Sequence, residues 1–394
     1  MNGTIYMPVG EVCSSISDTY REKKNMVTLI NTSDVLEGRV LNHERVPNSN
    51  LKGQFKKTFQ RDDILYSEIR PQNRRFAYVD FSPIDYIAST KLMVIRAKKD
   101  VVSPKYLYYF LKNSSTVAEL QLLAETRSGT FPQITFSEVA NLTIPVPSLA
   151  VQEVIVQTMQ CLEDKITCNE QINDNLQQQA ELLYHKRFET VNRDKLPVGW
   201  RIVRLGDVAT ISKKSFNPAK EPEMMLEHYS IPAFDEAHFP VFEPSTAIKS
   251  NKFIVDDSCF MISKLNPTTK RVWKPYCLTA NAVCSTEFIV YKAKSQDLTD
   301  FLYSVIDSTS FSDFMCSHVT GSTGSRQRTT PSDTLAFELV LPNAEEIAEY
   351  QGVVSPMFEQ IKCNAIENDR LKRLRDSLLP KLMSGELDVS SIQL

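Results

Sequence analysis

The spacing of apolar and polar positions changes repeatedly along this 394-residue chain. In the first stretch, "DILYSEI", "RFAYVDF" and "KLMVIRA" are β-branched and aromatic runs with partial alternation, bounded by Pro, Asn and Asp, and they predict strands. "SPKYLYYFLKNS" predicts a short amphipathic helix. The period then lengthens. From Val151 to about Phe188 there is neither Pro nor Gly, and Ile155, Met159, Leu162, Ile166, Ile172, Leu176, Ala180 and Leu183 fall mostly three or four apart. That spacing is a coiled-coil seam, interrupted at Asn169. "RDKLPVGW", Arg193 to Trp200, supplies Pro and Gly as a boundary. A second strand-rich stretch follows it. From Ala344 to about Met383 the seam returns at Val354, Phe358, Ile361, Ala365, Leu371, Leu374, Leu378 and Leu382, with Pro356 interrupting only its start.

The second half repeats the first. "STKLMVIRAK" (Ser89–Lys98) aligns with "STEFIVYKAK" (Ser285–Lys294), "SEIRP" (Ser67–Pro71) with "SKLNP" (Ser263–Pro267), and Gly10-Glu11-Val12 with Gly206-Asp207-Val208, all at an offset of 196. Gly129 with Gly324, Pro147 with Pro342, and "ITCN" (Ile166–Asn169) with "IKCN" (Ile361–Asn364) keep an offset of 195. An ordered series along both halves makes the chain one unit used twice. The expected fold is α+β: two repeated mixed α/β domains, residues 1–150 and 194–343, separated by two long helices, residues 151–193 and 344–394. A helix of roughly thirty-five residues is about 50 Å long and needs a partner along its length. The matched seams point to the other long helix, antiparallel, with a pseudo-two-fold relation between the halves. The seam residues are Ile155, Leu162, Ile166, Leu176 and Leu183 on one helix and Phe358, Ile361, Leu371 and Leu378 on the other. The alternative is that each helix packs on its own domain.

Composition narrows the function. Hydrophobic residues make up 42% and charged residues 24%, the profile of a globular chain rather than a disordered one. No run of eighteen apolar residues occurs and "MNGTIYMPVG" lacks the features of a signal peptide, so a cytoplasmic location is expected. The eight cysteines include no Cys-x-x-Cys pair and read as thiols in a reducing compartment. The formal net charge of −3 argues against a nucleic-acid binder, but the charge is segregated. Residues 1–150 hold 19 Lys+Arg against 15 Asp+Glu, whereas 344–394 hold 6 against 9. A basic excess in one domain is compatible with a polyanionic partner, and equally with a solvated face.

"LPVGWRIVRLGDVATI", "ASTKLMVI", "GSRQRTT" leading into "FELVLP", and the closing "NDRLKRLRDSLLPKLMSGELDV" resemble the DNA specificity subunit of type I restriction-modification systems over nearly the whole chain. The resemblance implies two target-recognition domains, each reading one half of a bipartite, asymmetric DNA target. It also implies a coiled coil that sets their spacing and docks two modification (methyltransferase) subunits. Restriction subunits, which translocate and cut, would join through that complex. S-adenosylmethionine, ATP and Mg would be bound by the partners and not by this chain. Two departures stand out. The first half begins almost directly at "VGEVCSSISD", which raises the expectation of a trimmed or differently started chain. "GTFPQIT" replaces the arginine-bearing loop there, so the two domains are expected to read different sequences.

Candidate DNA contacts follow "SEIRP" and "SKLNP" in the two halves. Arg70, Asn73, Arg74 and Arg75 lie beside Phe76 and Tyr78, and Lys264, Lys270, Arg271 and Lys274 beside Asn266 and Trp273. Basic residues with amides and an aromatic suit phosphate positioning and base-edge readout, although a turn between two strands is also often basic. "GSTGSRQRTT" has no apolar side chain. Gly321 and Gly324 allow close backbone approach, Ser325, Arg326 and Arg328 offer donors, and Gln327 suits adenine. Its counterpart is Ser128, Gly129, Thr130 and Gln133.

Catalysis finds no motif. There is no Asn- or Asp-Pro-Pro-aromatic tetrapeptide, no Gly-rich cofactor loop, no phosphate loop and no His-Glu-x-x-His. His185 and His318 are isolated, and Asp62-Asp63 and Asp256-Asp257 read as strand-entry turns because neighbours along a strand face opposite sides. Three functions stay open at this point: a non-catalytic sequence-reading subunit, a coiled-coil protein–protein adaptor without DNA readout, and a self-contained DNA enzyme.

Overall fold

The computed structural model describes residues 4–22, 24–49, 53–127, 131–320 and 327–389. The chain divides into two units, residues 1–165 with 371–394, and residues 166–370. Each unit therefore holds one of the repeated mixed domains and a stretch of both long helices.

The runs read as strands assemble, in the first unit, into an antiparallel sheet of order Cys13–Ile16, Leu92–Ala97, Ile64–Ser67, Phe76–Tyr78. In the second unit the order is Ala209–Ser212, Phe288–Ala293, Cys259–Ser263, Val272–Trp273. These are the same elements displaced by the repeat. "KLMVIRA" and its counterpart sit second in the sheet and are buried almost throughout, which is why their alternation is only partial.

A further sheet repeats as well. Val46–Pro47, Met26–Ile30, Tyr86–Ser89 and Phe55–Lys57 pair in that order, and so do Val241–Pro244, Met225–Tyr229, Ala282–Ser285 and Lys252–Ile254, the second unit adding Ser215–Phe216 at the edge. In both units the second and third of these strands are parallel. A two-stranded ribbon closes each domain, Ile5–Pro8 with Thr143–Val146 and Arg201–Arg204 with Glu338–Leu341.

The short amphipathic helix forms at Pro104–Lys112, with Pro at its first position where a missing N–H costs nothing. Its counterpart is Thr299–Asp307. A glutamine fastens each to a long helix. Gln152 accepts from the Ser103 N–H at 2.8 Å and donates to Pro147 O at 2.8 Å, and Gln351 accepts from the Phe301 N–H at 3.1 Å and donates to Asp297 O at 2.7 Å.

The long helices span Leu149–Tyr184, followed by a π-turn to Glu189, and Ala344–Ser384. The second continues through Pro356. Pro356 lacks the N–H that would have paired with the Gly352 carbonyl one turn earlier, and the helix continues without that bond. The helices pair antiparallel as a coiled coil. In the second unit Asn169 meets Asn368, Asn173 meets Asn364, and Arg187 reaches Glu346 and Glu349. In the first unit Arg375 reaches Glu163. The seam's apolar residues work mostly toward the domains. Ile155, Leu162 and Leu378 pack in the core of the first unit, and Leu183, Phe358 and Ile361 in that of the second. Ile166 is buried, while Leu176 and Leu371 are half-buried and join none of the described apolar clusters.

Candidate nucleic-acid interface

The basic segments after "SEIRP" and "SKLNP" leave their strands through a left-handed residue, Arg70 at φ 44° and Asn266 at φ 47°. Such a conformation costs an arginine free energy that the surrounding hydrogen bonds must offset. Those bonds recur in both units. The Ser67 N–H donates to Arg75 O and the Ser263 N–H to Arg271 O, at 2.8 and 2.9 Å. The Glu68 N–H donates to Lys91 O and the Lys264 N–H to Glu287 O, at 3.0 and 2.9 Å. The Arg70 N–H donates to Pro132 O and the Asn266 N–H to Gln327 O, at 3.1 and 2.9 Å. The serine hydroxyls complete the turn by accepting from Ile69 N–H and Leu265 N–H. Three separate segments of chain thus meet at one junction in each unit: the strand end, the turn at 91 or 287, and the segment at 132–134 or 327–329.

The candidate contacts fall into distinct environments. Arg70 and Asn73 are exposed. Arg74 pairs with Glu37 at 3.3 Å, and Arg75 donates to the Ser33 and Val35 carbonyls at 3.0 and 3.4 Å. Gln133 accepts from Lys91 Nζ at 3.3 Å, and Lys91 also pairs with Glu68 at 3.4 Å. In the second unit Arg271 is gripped by both oxygens of Asp235, at 2.6 and 2.8 Å, and Lys274 by Asp300 at 2.5 Å. Arg328 meets both oxygens of Glu287, at 3.0 and 3.1 Å, which raises its pKa. Lys264 is half-buried, and Gln327 uses its carbonyl to hold Asn266. Ser128, Gly129, Thr130, Gly324, Ser325 and Arg326 lie outside the described residues, as does Gly321.

Lys270 belongs to a partly exposed cluster, built around the buried Asp307, where a long helix meets the domain. It bonds Glu181 at 3.1 Å and Asp307 at 3.2 Å, and Gln177 donates to Asp307 at 2.6 Å. Burial pushes the Asp307 carboxyl up to about 6 despite Lys270 and Gln177, which oppose the shift. Burial also works against the charge of Lys270, but Asp307 and Glu181 outweigh it and raise its pKa. The difference follows from exposure, since the Asp307 side chain is 8% exposed and that of Lys270 34%. The first unit reverses the sign at the same position. There Lys112 takes the place of Asp307 and pairs with Glu163, with Arg375 on the same carboxylate, and burial lowers the lysine's pKa.

The signal for these ion pairs was absent from local sequence, because Asp235, Glu287 and Asp300 lie 36, 41 and 26 residues from the cations they hold. The acid pairs do sit at strand entries, with Asp63 gripping Arg96 at 2.7 Å and Asp256 paired with Lys292. His185 bonds Glu189, and His318 stacks on Phe314. Among the described residues no group of three or more His, Cys, Asp or Glu is arranged to hold a metal ion, and no helix is long and apolar enough to cross a membrane.

Each unit holds one copy of a mixed domain packed on a stretch of the paired long helices, a duplicated α+β architecture. The profile of the type I restriction modification DNA specificity domain matches residues 6–178. The chain is similar to the HindI type I restriction enzyme specificity subunit of Haemophilus influenzae, 28% identical with 92% of this chain and 94% of that protein covered. It is also similar to the MjaIX type I restriction enzyme specificity subunit of Methanocaldococcus jannaschii, 26% identical over 79% of this chain and 77% of that one. Among solved structures, the S subunit of a type I restriction-modification system from M. genitalium shares the fold, with a TM-score of 0.56 at 14% identity over 97% of this chain and 96% of that one. So does a chain from work on complex assembly and conformational transition of the type I R-M system, with a TM-score of 0.51 at 20% identity over 98% and 99%. The first half of the chain thus carries the match to the DNA specificity domain, and the chain as a whole is similar to specificity subunits of type I restriction enzymes.

Proposed function

We propose that each unit reads one half of a bipartite, asymmetric DNA target, and that the paired helices set the gap between the halves and dock two methyltransferase subunits. Restriction subunits join through that complex, and S-adenosylmethionine, ATP and Mg are bound by the partners. The observation that carries this reading is the duplicated strand-end junction, which presents different side chains on one backbone frame in the two units. Half-sites read from one face of B-DNA lie about one helical turn, ~34 Å, or its multiples apart. A helix of 36 residues is about 54 Å long, a rod that suits such a spacing.

The test is to co-express the chain with its methyltransferase subunit and map methylated adenines across the host genome. The reading expects a split motif with a constant unspecified gap. An active methyltransferase with no split motif would sink it. The adaptor reading draws on the internal pairing of Arg271 and Lys274, which occupies cations otherwise available to phosphate. It expects no salt-dependent affinity for DNA, because without phosphate contacts no counterions are released.

A further inference from the structure

The two junctions described above share their backbone but not their side chains. Four positions lie at the frame: 68, 70, 91 and 133 in the first unit, and 264, 266, 287 and 328 in the second. The first set is Glu68, Arg70, Lys91 and Gln133, and the second is Lys264, Asn266, Glu287 and Arg328. Each set contains one glutamate, one arginine, one lysine and one carboxamide. No residue type stays in its place. Both sets carry two cations and one anion, a net charge of +1 each, yet the sign is inverted at 68 against 264 and at 91 against 287.

The side chains within each set touch one another in a different pattern. In the first unit Lys91 is the hub, 3.4 Å from Glu68 and 3.3 Å from Gln133. In the second, Glu287 takes the hub position and grips Arg328 through two bonds. The cations remain accessible, with the Lys91 side chain 49% exposed and that of Arg328 43%. Asn266 Oδ1 is buried with no partner among the described residues, so this position is not filled for stability alone.

A shared frame with equal net charge supplies the same pull on phosphates in both units. A permuted array of donors and acceptors on that frame supplies different base-edge readout. We propose that these four positions are the specificity-determining set of each half-site, with Glu68 and Glu287 as positioning residues that orient the cations beside them. The proposal rests on the reading given under Proposed function and names the residues that carry it.

The experiment transplants the first set onto the second unit as K264E/N266R/E287K/R328Q. Net charge is unchanged, and arginine already adopts the required left-handed backbone at Arg70. The variant is co-expressed with the methyltransferase subunit, its melting temperature and complex assembly are compared with wild type, and the methylated motif is mapped. The proposal expects one half of the motif to change its bases, with methylation of the original half-site falling roughly tenfold or more while the other half and the gap stay as they were. An unchanged motif at undiminished methylation would overturn it. Loss of all methylation at unchanged melting and assembly would also overturn it, because the set would then serve general affinity. If the fourfold variant melts early, Glu287→Gln alone decides between the same outcomes, since it removes only the charge that orients Arg328. A wild-type complex that methylates without a split motif is a separate result, and it would remove the underlying reading rather than this assignment.

Discussion

Asn169 donates to Asn368 Oδ1 at 2.9 Å, and Asn364 donates to Asn173 Oδ1 at 2.8 Å. An offset of 195 residues carries the first pair onto the second, so one contact is the repeat image of the other. Asn169, Asn364 and Asn368 are buried in the seam between the long helices, and Asn169 Oδ1 has no partner among the described residues. Buried asparagines at a seam lower stability and select one register, because any slip leaves every member without its partner.

Asn169→Leu should therefore destabilise the chain by about 1–3 kcal/mol, since Asn368 and Glu367 lose the amide that serves them both. The double variant N169L/N368L should recover much of that loss, because an apolar pair leaves fewer orphaned groups at this layer. Denaturant unfolding of N169L, N368L and the double variant measures it. A double variant as unstable as the sum of the single ones would show that the layer is not a coupled unit.

Asp307 predicts a pH dependence. Its folded pKa, raised to about 6 by burial, exceeds the ordinary carboxyl value, so the folded state binds the proton more tightly than the unfolded state between about pH 4 and 6. Stability contributed by the protonated form is complete below about pH 4 and is lost as pH rises to about 6, after which this group is silent. The size of the effect is roughly 2–3 kcal/mol. Asp307→Asn should remove this slope from the stability profile over that window. An identical profile in the variant would place the titration elsewhere.

Gly38 lies at φ 106°, and a Cβ built there would fall 2.2 Å from Tyr108 Oη. Gly38→Ala meets both the wrong backbone region and a buried ring, so it should cost about 2 kcal/mol or more. The loss should appear as a lower melting temperature, and Tyr108→Phe in the same chain should restore part of it by removing the clashing oxygen.

The junction cations should separate from the paired ones in DNA binding. Arg70→Ala and Lys264→Ala are each expected to weaken DNA binding by the complex and to reduce the slope of affinity against salt by about one, at an unchanged melting temperature. Lys274→Ala should instead lower the melting temperature, because it leaves Asp300 half-buried without its cation. Equal salt slopes for all three would remove the distinction.

The strands, the short helix and the two long helices were legible because their signals are local: β-branched runs, a proline at a helix start, and apolar residues three and four apart over many turns. The duplication was legible for a different reason. Ser67 and Ser263 bond the same backbone groups, as do the carbonyls of Lys91 and Glu287, so the frame that reuses them keeps those residues or that spacing in both copies. Basic residues after each frame marked a candidate contact surface without distinguishing its members. Only the folded chain separated them, since a cation's availability depends on which carboxylate comes within reach. Arg271 found Asp235 and Lys274 found Asp300 across the domain, while Arg70 stayed exposed. The sequence by itself thus determined the repeat and the helices, both of which rest on periodicity and order along one dimension. The tertiary structure decided which charges are paired, which asparagines interlock and which four positions share a frame, because each of these is set by contacts between residues far apart in the chain.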